Sequence, residues 1–267
     1  MTTKNIILYL LFAGASINHA AGQGDSLAYR YMRLAEDYQK NSKRDSAIFY
    51  YKKASVEFQT LSNKENLVNC YNQIGIILTR QDQYEEAKTF LNKALSTGLS
   101  SLDSNNLLIS TTYISLGVVY SAEENYNQSL VYHNKALAIR LLKLGEYSAE
   151  VATSYGNIGN VYLKSKDYDK SIEAHLKAMQ IREKLFGKTS AEIVESYMGL
   201  GNVYREKKEY KTSLAYFEKA LQNKIEQRGL GHKDLVKIYK NISDVYYLMN
   251  NKEQGDLYMK KAKEITP

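Results

Sequence analysis

Two histidines, His133 and His175, stand 42 residues apart at corresponding places in neighbouring segments of the chain. Imidazoles at stacked positions could share a metal ion, but a zinc site asks for three or four ligands, and no third lies beside them. Phe217 holds the same place one segment later, so the position reads as a packing position. Cys70 is the single cysteine and has no internal disulfide partner. Beside Tyr71 on a periodic helix, it reads as a small buried hydrophobe. Gly199-Leu200-Gly201 has neither the preceding strand nor the helix opening that a phosphate cradle needs. There is no H-E-x-x-H, no cysteine pair and no nucleophile elbow. The expectation is a non-enzymatic protein with no catalytic residue, metal site or cofactor.

Amides and cations offer more. Asn157, Asn160, Asn202 and Asn241 recur at related places, with Asp244 close to the last of them. An asparagine side chain donates and accepts, so a ladder of them can pair with the backbone of an extended peptide without reading its side chains. Lys164, Arg205, Lys237 and Lys240 lie near the same positions. They would bias the partner towards an acidic segment.

The elements that must position these residues follow from a repeat. Tyr113-Ile-Ser-Leu-Gly-Val-Val-Tyr120, Tyr155-Gly-Asn-Ile-Gly-Asn-Val-Tyr162 and Tyr197-Met-Gly-Leu-Gly-Asn-Val-Tyr204 are one pattern stepped by 42 residues. Such a period marks an array whose units bury apolar surface against their neighbours. Each unit carries two amphipathic helical stretches. In one unit they run from about Ala149 to Ser165 and from about Asp169 to Phe186. Asp167 and Asn125 are expected to cap second helices, as is Asp82 with Glu85 three residues on. Gly145, Gly187 and Gly229 should end second helices. Thr189 with Glu192 is a candidate capping box for the next first helix. The only proline is Pro267, so nothing interrupts the helices.

This pattern resembles the tetratricopeptide repeat. The first-helix set is seen in Tyr155, Ile158, Gly159 and Tyr162, and the second-helix set in Ser171, His175 and Ala178. Both recur in every unit, from Tyr31, Leu34, Ala35 and Tyr38 with Ala47, Tyr51 and Ala54 to Tyr239, Ile242, Ser243 and Tyr246 with Gly255, Met259 and Ala262. Small residues let the two helices of a hairpin approach closely while tyrosines fill the gap above them. The 42-residue unit and the run Ile181-Arg-Glu-Lys-Leu-Phe-Gly187 look like the kinesin-light-chain subtype of the repeat. The resemblance implies an all-α, right-handed superhelical solenoid of stacked antiparallel hairpins. Its six units would cover about 27–60, 67–98, 109–145, 149–187, 191–229 and 234–265 within a single domain, 23–267. First helices would line a concave binding groove, and the partner would be a protein or peptide. The carboxylate clamp of the family's chaperone-tail receptors has no counterpart: the first three units present Met32 and Glu36, Asn72 and Gln73, then Ile114 and Val118.

Lys4, the apolar run Ile6 to Ala15 and Ala20-Ala21-Gly22 have the order of an export signal, with 1–22 removed before Gln23. The expected location is periplasmic or secreted, with no membrane span after cleavage. Net charge is +7, but lysines and glutamates are mixed along the chain without the basic stripe of a nucleic-acid binder. An alternative role is an exported sensor or regulatory module acting in trans with a separate output protein. The open ends of the terminal repeats also offer surfaces for self-association.

Overall fold

The computed structural model describes residues 26–265. The expected export signal, 1–22, lies outside them. All regular structure among the described residues is helical, in twelve helices. They form hairpins joined by tight turns. The chain divides into two compact units, one ending at Glu124 and the other beginning at Asn125.

The first unit holds α1 (Leu27–Lys40), α2 (Arg44–Thr60), α3 (Lys64–Thr79), α4 (Tyr84–Ser101) and α5 (Leu107–Ala122). α1 pairs with α2 and α3 with α4; α2 also packs on α3, and α5 packs on both α3 and α4. The second unit holds α6 (Tyr126–Leu144), α7 (Ala149–Lys164), α8 (Tyr168–Phe186), α9 (Ile193–Glu206), α10 (Tyr210–Arg228), α11 (Leu235–Leu248) and α12 (Lys252–Ile265). Each of its helices packs on the next, and α7 also touches α9. This is the hairpin-on-hairpin packing of a tetratricopeptide solenoid.

The turns inside hairpins share one geometry. Ser42 has φ +58°; its N–H bonds the Gln39 carbonyl, and the Lys43 N–H reaches back to the Tyr38 carbonyl. That is a Schellman stop. The same positive φ recurs at Asp82, Glu124, Lys166 and Lys208, none of them glycine. Asp82 is therefore not the cap of α4. Gln83 precedes that helix without a side-chain cap bond, and the Asp82 carboxylate accepts instead from the Tyr84 hydroxyl. One residue further along the turn, Asn125 and Asp167 do cap, accepting from the Gln128 and Lys170 amides. Thr189 and Glu192 form no capping box: α9 starts at Ile193 with no side-chain cap, and the Thr189 carbonyl accepts from Gln227 at 2.7 Å. Gly145, Gly187 and Gly229 end α6, α8 and α10 at positive φ, as their spacing predicts.

Glycine carbonyls and second-helix side chains hold the hairpins shut. Leu91 packs so closely on Gly75, and Phe217 on Gly201, that a Cβ on either glycine would come within 2.5 Å of them. His175 lies between Gly159 of α7 and Gly199 of α9 and blocks a Cβ on both. Burial pushes its pKa down to about 4, with the Arg182 guanidinium adding to the effect. Ser171 and Ser213 complete the closure by donating to the Gly159 and Gly201 carbonyls at 2.7 Å.

Tyrosine ring triplets cross the α1–α2, α9–α10 and α11–α12 hairpins. A second-helix tyrosine sits between the two of the first helix: Tyr50 stacks on Tyr38 and tilts against Tyr31, Tyr216 does the same with Tyr204 and Tyr197, and Tyr258 with Tyr246 and Tyr239. Ala174 takes the central place in the α7–α8 hairpin. There Leu130 and Leu141 of α6 pack beside Tyr155 and Tyr162 in the same apolar cluster.

Candidate functional site

The eight residues singled out from the sequence fall on three first helices of the second unit. Asn157, Asn160 and Lys164 are on α7, Asn202 and Arg205 on α9, and Lys237, Lys240 and Asn241 on α11. Helical spacing sets their exposure. The apolar stripes Val151, Ile158 and Val161 on α7 and Ile238, Ile242 and Val245 on α11 are buried, so the amides flank the seam. All four asparagines are half-buried.

Their surroundings differ. Asn241 Nδ2 is shielded from solvent and has no hydrogen-bond partner among the described residues. An unpaired buried donor costs free energy until an acceptor reaches it. Arg205 is already engaged, its guanidinium pairing with Glu206 at 3.2 Å. It also faces Asp244, whose carboxyl is held above the usual range by burial while Arg205 and Lys240 pull it back. Lys164 is half-buried and has an interaction of its own. Lys237 and Lys240 are exposed. Lys237 is near Glu195, whose carboxyl is raised by burial and lowered mainly by Arg182. The face is a mixed-charge surface with amides between the charges.

The equivalent positions in the first unit carry other residues: Arg33, Gln73 and Ser115 stand for Asn157, and Glu36, Ile76 and Val118 for Asn160, of which only Ser115 and Ile76 are buried. Asn72 is fully buried, with its amide spent on structure: Nδ2 donates to the Leu108 carbonyl at 3.2 Å and Oδ1 accepts from the Thr112 hydroxyl at 2.8 Å. No comparable unpaired amide donor is offered there.

Reasoning from sequence passed over a second set of polar residues. Arg182 is buried and bonds Ser196 Oγ and Glu195 Oε2, each at 2.8 Å, tying α8 to α9. Arg140 does the same between α6 and α7, donating to the Glu150 carbonyl and to Ser154 Oγ. Lys224 reaches Asp234 at 3.4 Å. These three cations are themselves 42 residues apart, so the period that found the glycines also marks them. Among the described residues no helix is long and apolar enough to cross a membrane.

Comparison with known proteins accords with this architecture. The sequence pattern of the tetratricopeptide repeat matches five overlapping segments, 25–98, 67–142, 108–184, 150–226 and 192–266. BtubC (BKLC) from P. vanneervenii is 18% identical over 90% of this chain and 91% of its own, with a TM-score of 0.66. The TPR-like repeats of a kinesin light chain from Podosopora anserina are 14% identical over 74% of this chain and 95% of theirs, at 0.63. Aspartyl phosphate phosphatase F from Bacillus subtilis is 18% identical over 89% of this chain and 59% of its own, at 0.64. At these identities the likeness is one of fold. A search among curated proteins returned no significant match. With the repeat pattern matched along nearly its whole length, the chain belongs to the tetratricopeptide-repeat family.

Proposed function

We propose that this protein is a non-enzymatic scaffold that holds a protein or peptide segment against the α7–α9–α11 face. The repeat fold itself supports a protein-interaction role. The observation that carries the finer reading is Asn241, whose Nδ2 is buried without an acceptor on the face that also bears Asn157, Asn160 and Asn202. When the half-buried Asn241 side chain turns outward, a backbone carbonyl of an extended peptide supplies that acceptor, and the neighbouring amides can bond the rest of its backbone. Exposed Lys237 and Lys240 favour a segment with acidic side chains, while Glu206 and Asp244 temper that preference by occupying Arg205.

We further infer that it works outside the cytoplasm, because residues 1–22 have the order of an export signal. A regulatory module acting in trans would use the same face. The likeness to an aspartyl phosphate phosphatase extends to fold alone and gives that second reading no added weight.

The test is retention of partners by the immobilised protein from an extract of its native compartment. Comparison is with the variant Asn157→Ala, Asn160→Ala, Asn202→Ala. Loss of a partner from the variant supports the face, and undiminished recovery removes it from the account.

A further inference from the structure

We propose that the first hairpin, α1 with α2, is a self-association surface through which two copies of this chain pair, α1 against α1 in antiparallel. Leu27, Tyr31, Leu34 and Tyr38 run along α1 with alternating spacings of four and three, the seam of paired helices. In the other five repeats the first helix packs against the second helix of the repeat before it. The positions equivalent to Leu27 and Leu34, such as Ile193 and Leu200, are never more than 5% exposed there. On α1 the same two positions are 45% and 41% exposed. Phe49 extends the patch: it is 52% exposed and meets Tyr50 edge to face, and Tyr50 stacks on Tyr38.

The far end of the repeat series is closed in another way. On α12 exposed Asp256 and Lys263 stand where α10 has Leu214 and Leu221. A polar outer face stops stacking. It also offers no apolar complement to α1 of another copy, so head-to-tail growth has nothing to bury, and a like-with-like contact remains.

Charge selects the direction of that contact. Arg30 and Asp37 are both exposed and lie seven residues apart on one flank of the stripe, while the other flank, Ala28 and Ala35, is buried. In antiparallel two-fold pairing Tyr31 of each copy meets Leu34 of the other, and each Arg30 falls near the other copy's Asp37. Parallel pairing would instead set each charged flank against the partner's buried alanine flank and leave Arg30 and Asp37 without partners.

The test is sedimentation equilibrium of the protein as its native compartment processes it, across the micromolar range. A particle of twice the chain mass is expected. Leu27→Glu with Leu34→Glu should give a monomer with unchanged far-ultraviolet circular dichroism, since both positions are exposed. Arg30→Glu or Asp37→Arg alone should weaken the dimer about tenfold, because each turns two attractions into repulsions. The two together should restore it. A wild-type monomer throughout would overturn the proposal. So would a dimer indifferent to the leucine changes, or a charge reversal that fails to rescue.

Discussion

Ser243 Oγ donates to the Gly255 carbonyl at 2.7 Å, reversing a bond in which Ser213 donates to Gly201 and Ser171 to Gly159 at the same length. In the α7–α8 and α9–α10 hairpins the glycine is on the first helix and the serine on the second. In the last one they have changed places, and the helix-to-helix bond survives with its polarity inverted. Tyr247 gives the exchange a reason: a Cβ on Gly255 would come within 2.6 Å of its ring, and its hydroxyl bonds Asp256. Arg205 stands at the matching place on α9.

Restoring the usual order in the last hairpin, Ser243→Gly with Gly255→Ser, should therefore destabilise the protein by about 1–3 kcal/mol through crowding against Tyr247. Adding Tyr247→Arg should recover most of the loss. Urea denaturation of the three chains reads this. A fully stable double variant would show that the exchange is indifferent to Tyr247.

The glycines of the second unit separate into two kinds. Gly201→Ala presses a methyl into Phe217 and should cost about 1–3 kcal/mol. Gly156, midway along α7, has no atom within 4 Å of a Cβ built on it. Gly156→Ala should instead stabilise by about 0.5–1 kcal/mol, the helix-propensity difference. Thermal melts of both variants against the parent measure the contrast.

His133 and His175 make stability depend on pH in a known direction. Burial lowers each folded pKa from 6.5 to about 4, with Arg140 and Arg182 contributing. The unfolded chain thus binds more protons between those values. The contribution is whole above pH 6.5 and is lost as pH falls towards 4. Between pH 7 and pH 5 each histidine should cost about 2 kcal/mol of stability. Leucine already holds this place at Leu91, so His133→Leu with His175→Leu should flatten that part of the profile. Denaturant midpoints at the two pH values check it. An unchanged difference would mean that both imidazoles stay accessible to protons.

The hairpins were legible because period, capping residue and helix-ending glycine are local signals that agree. Asn125, Asp167 and Gly187 behave as their neighbours in sequence predict. Asp82 did not, because the Schellman turn places it at positive φ, and only the turn as a whole reveals that offset. Leu34 has the residue type of a buried position and is exposed because, among the described residues, no second helix precedes it, which the pattern within one unit cannot show. Periodicity also put the amides of the candidate site on one side of their helices. It could not tell Asn72, whose amide is satisfied by Thr112 some 40 residues away, from Asn241, whose donor is not satisfied. Nor could it show that Arg205 is held by Glu206.

The most direct measurement places a photo-crosslinking amino acid at Lys240, on the proposed face, and in a second chain at exposed Lys219 on α10. Both chains are irradiated with extract from the native compartment. A partner adduct from position 240, reduced about tenfold by Asn202→Ala with Asn241→Ala and absent from position 219, is the predicted result. An adduct from position 219 alone would contradict the account.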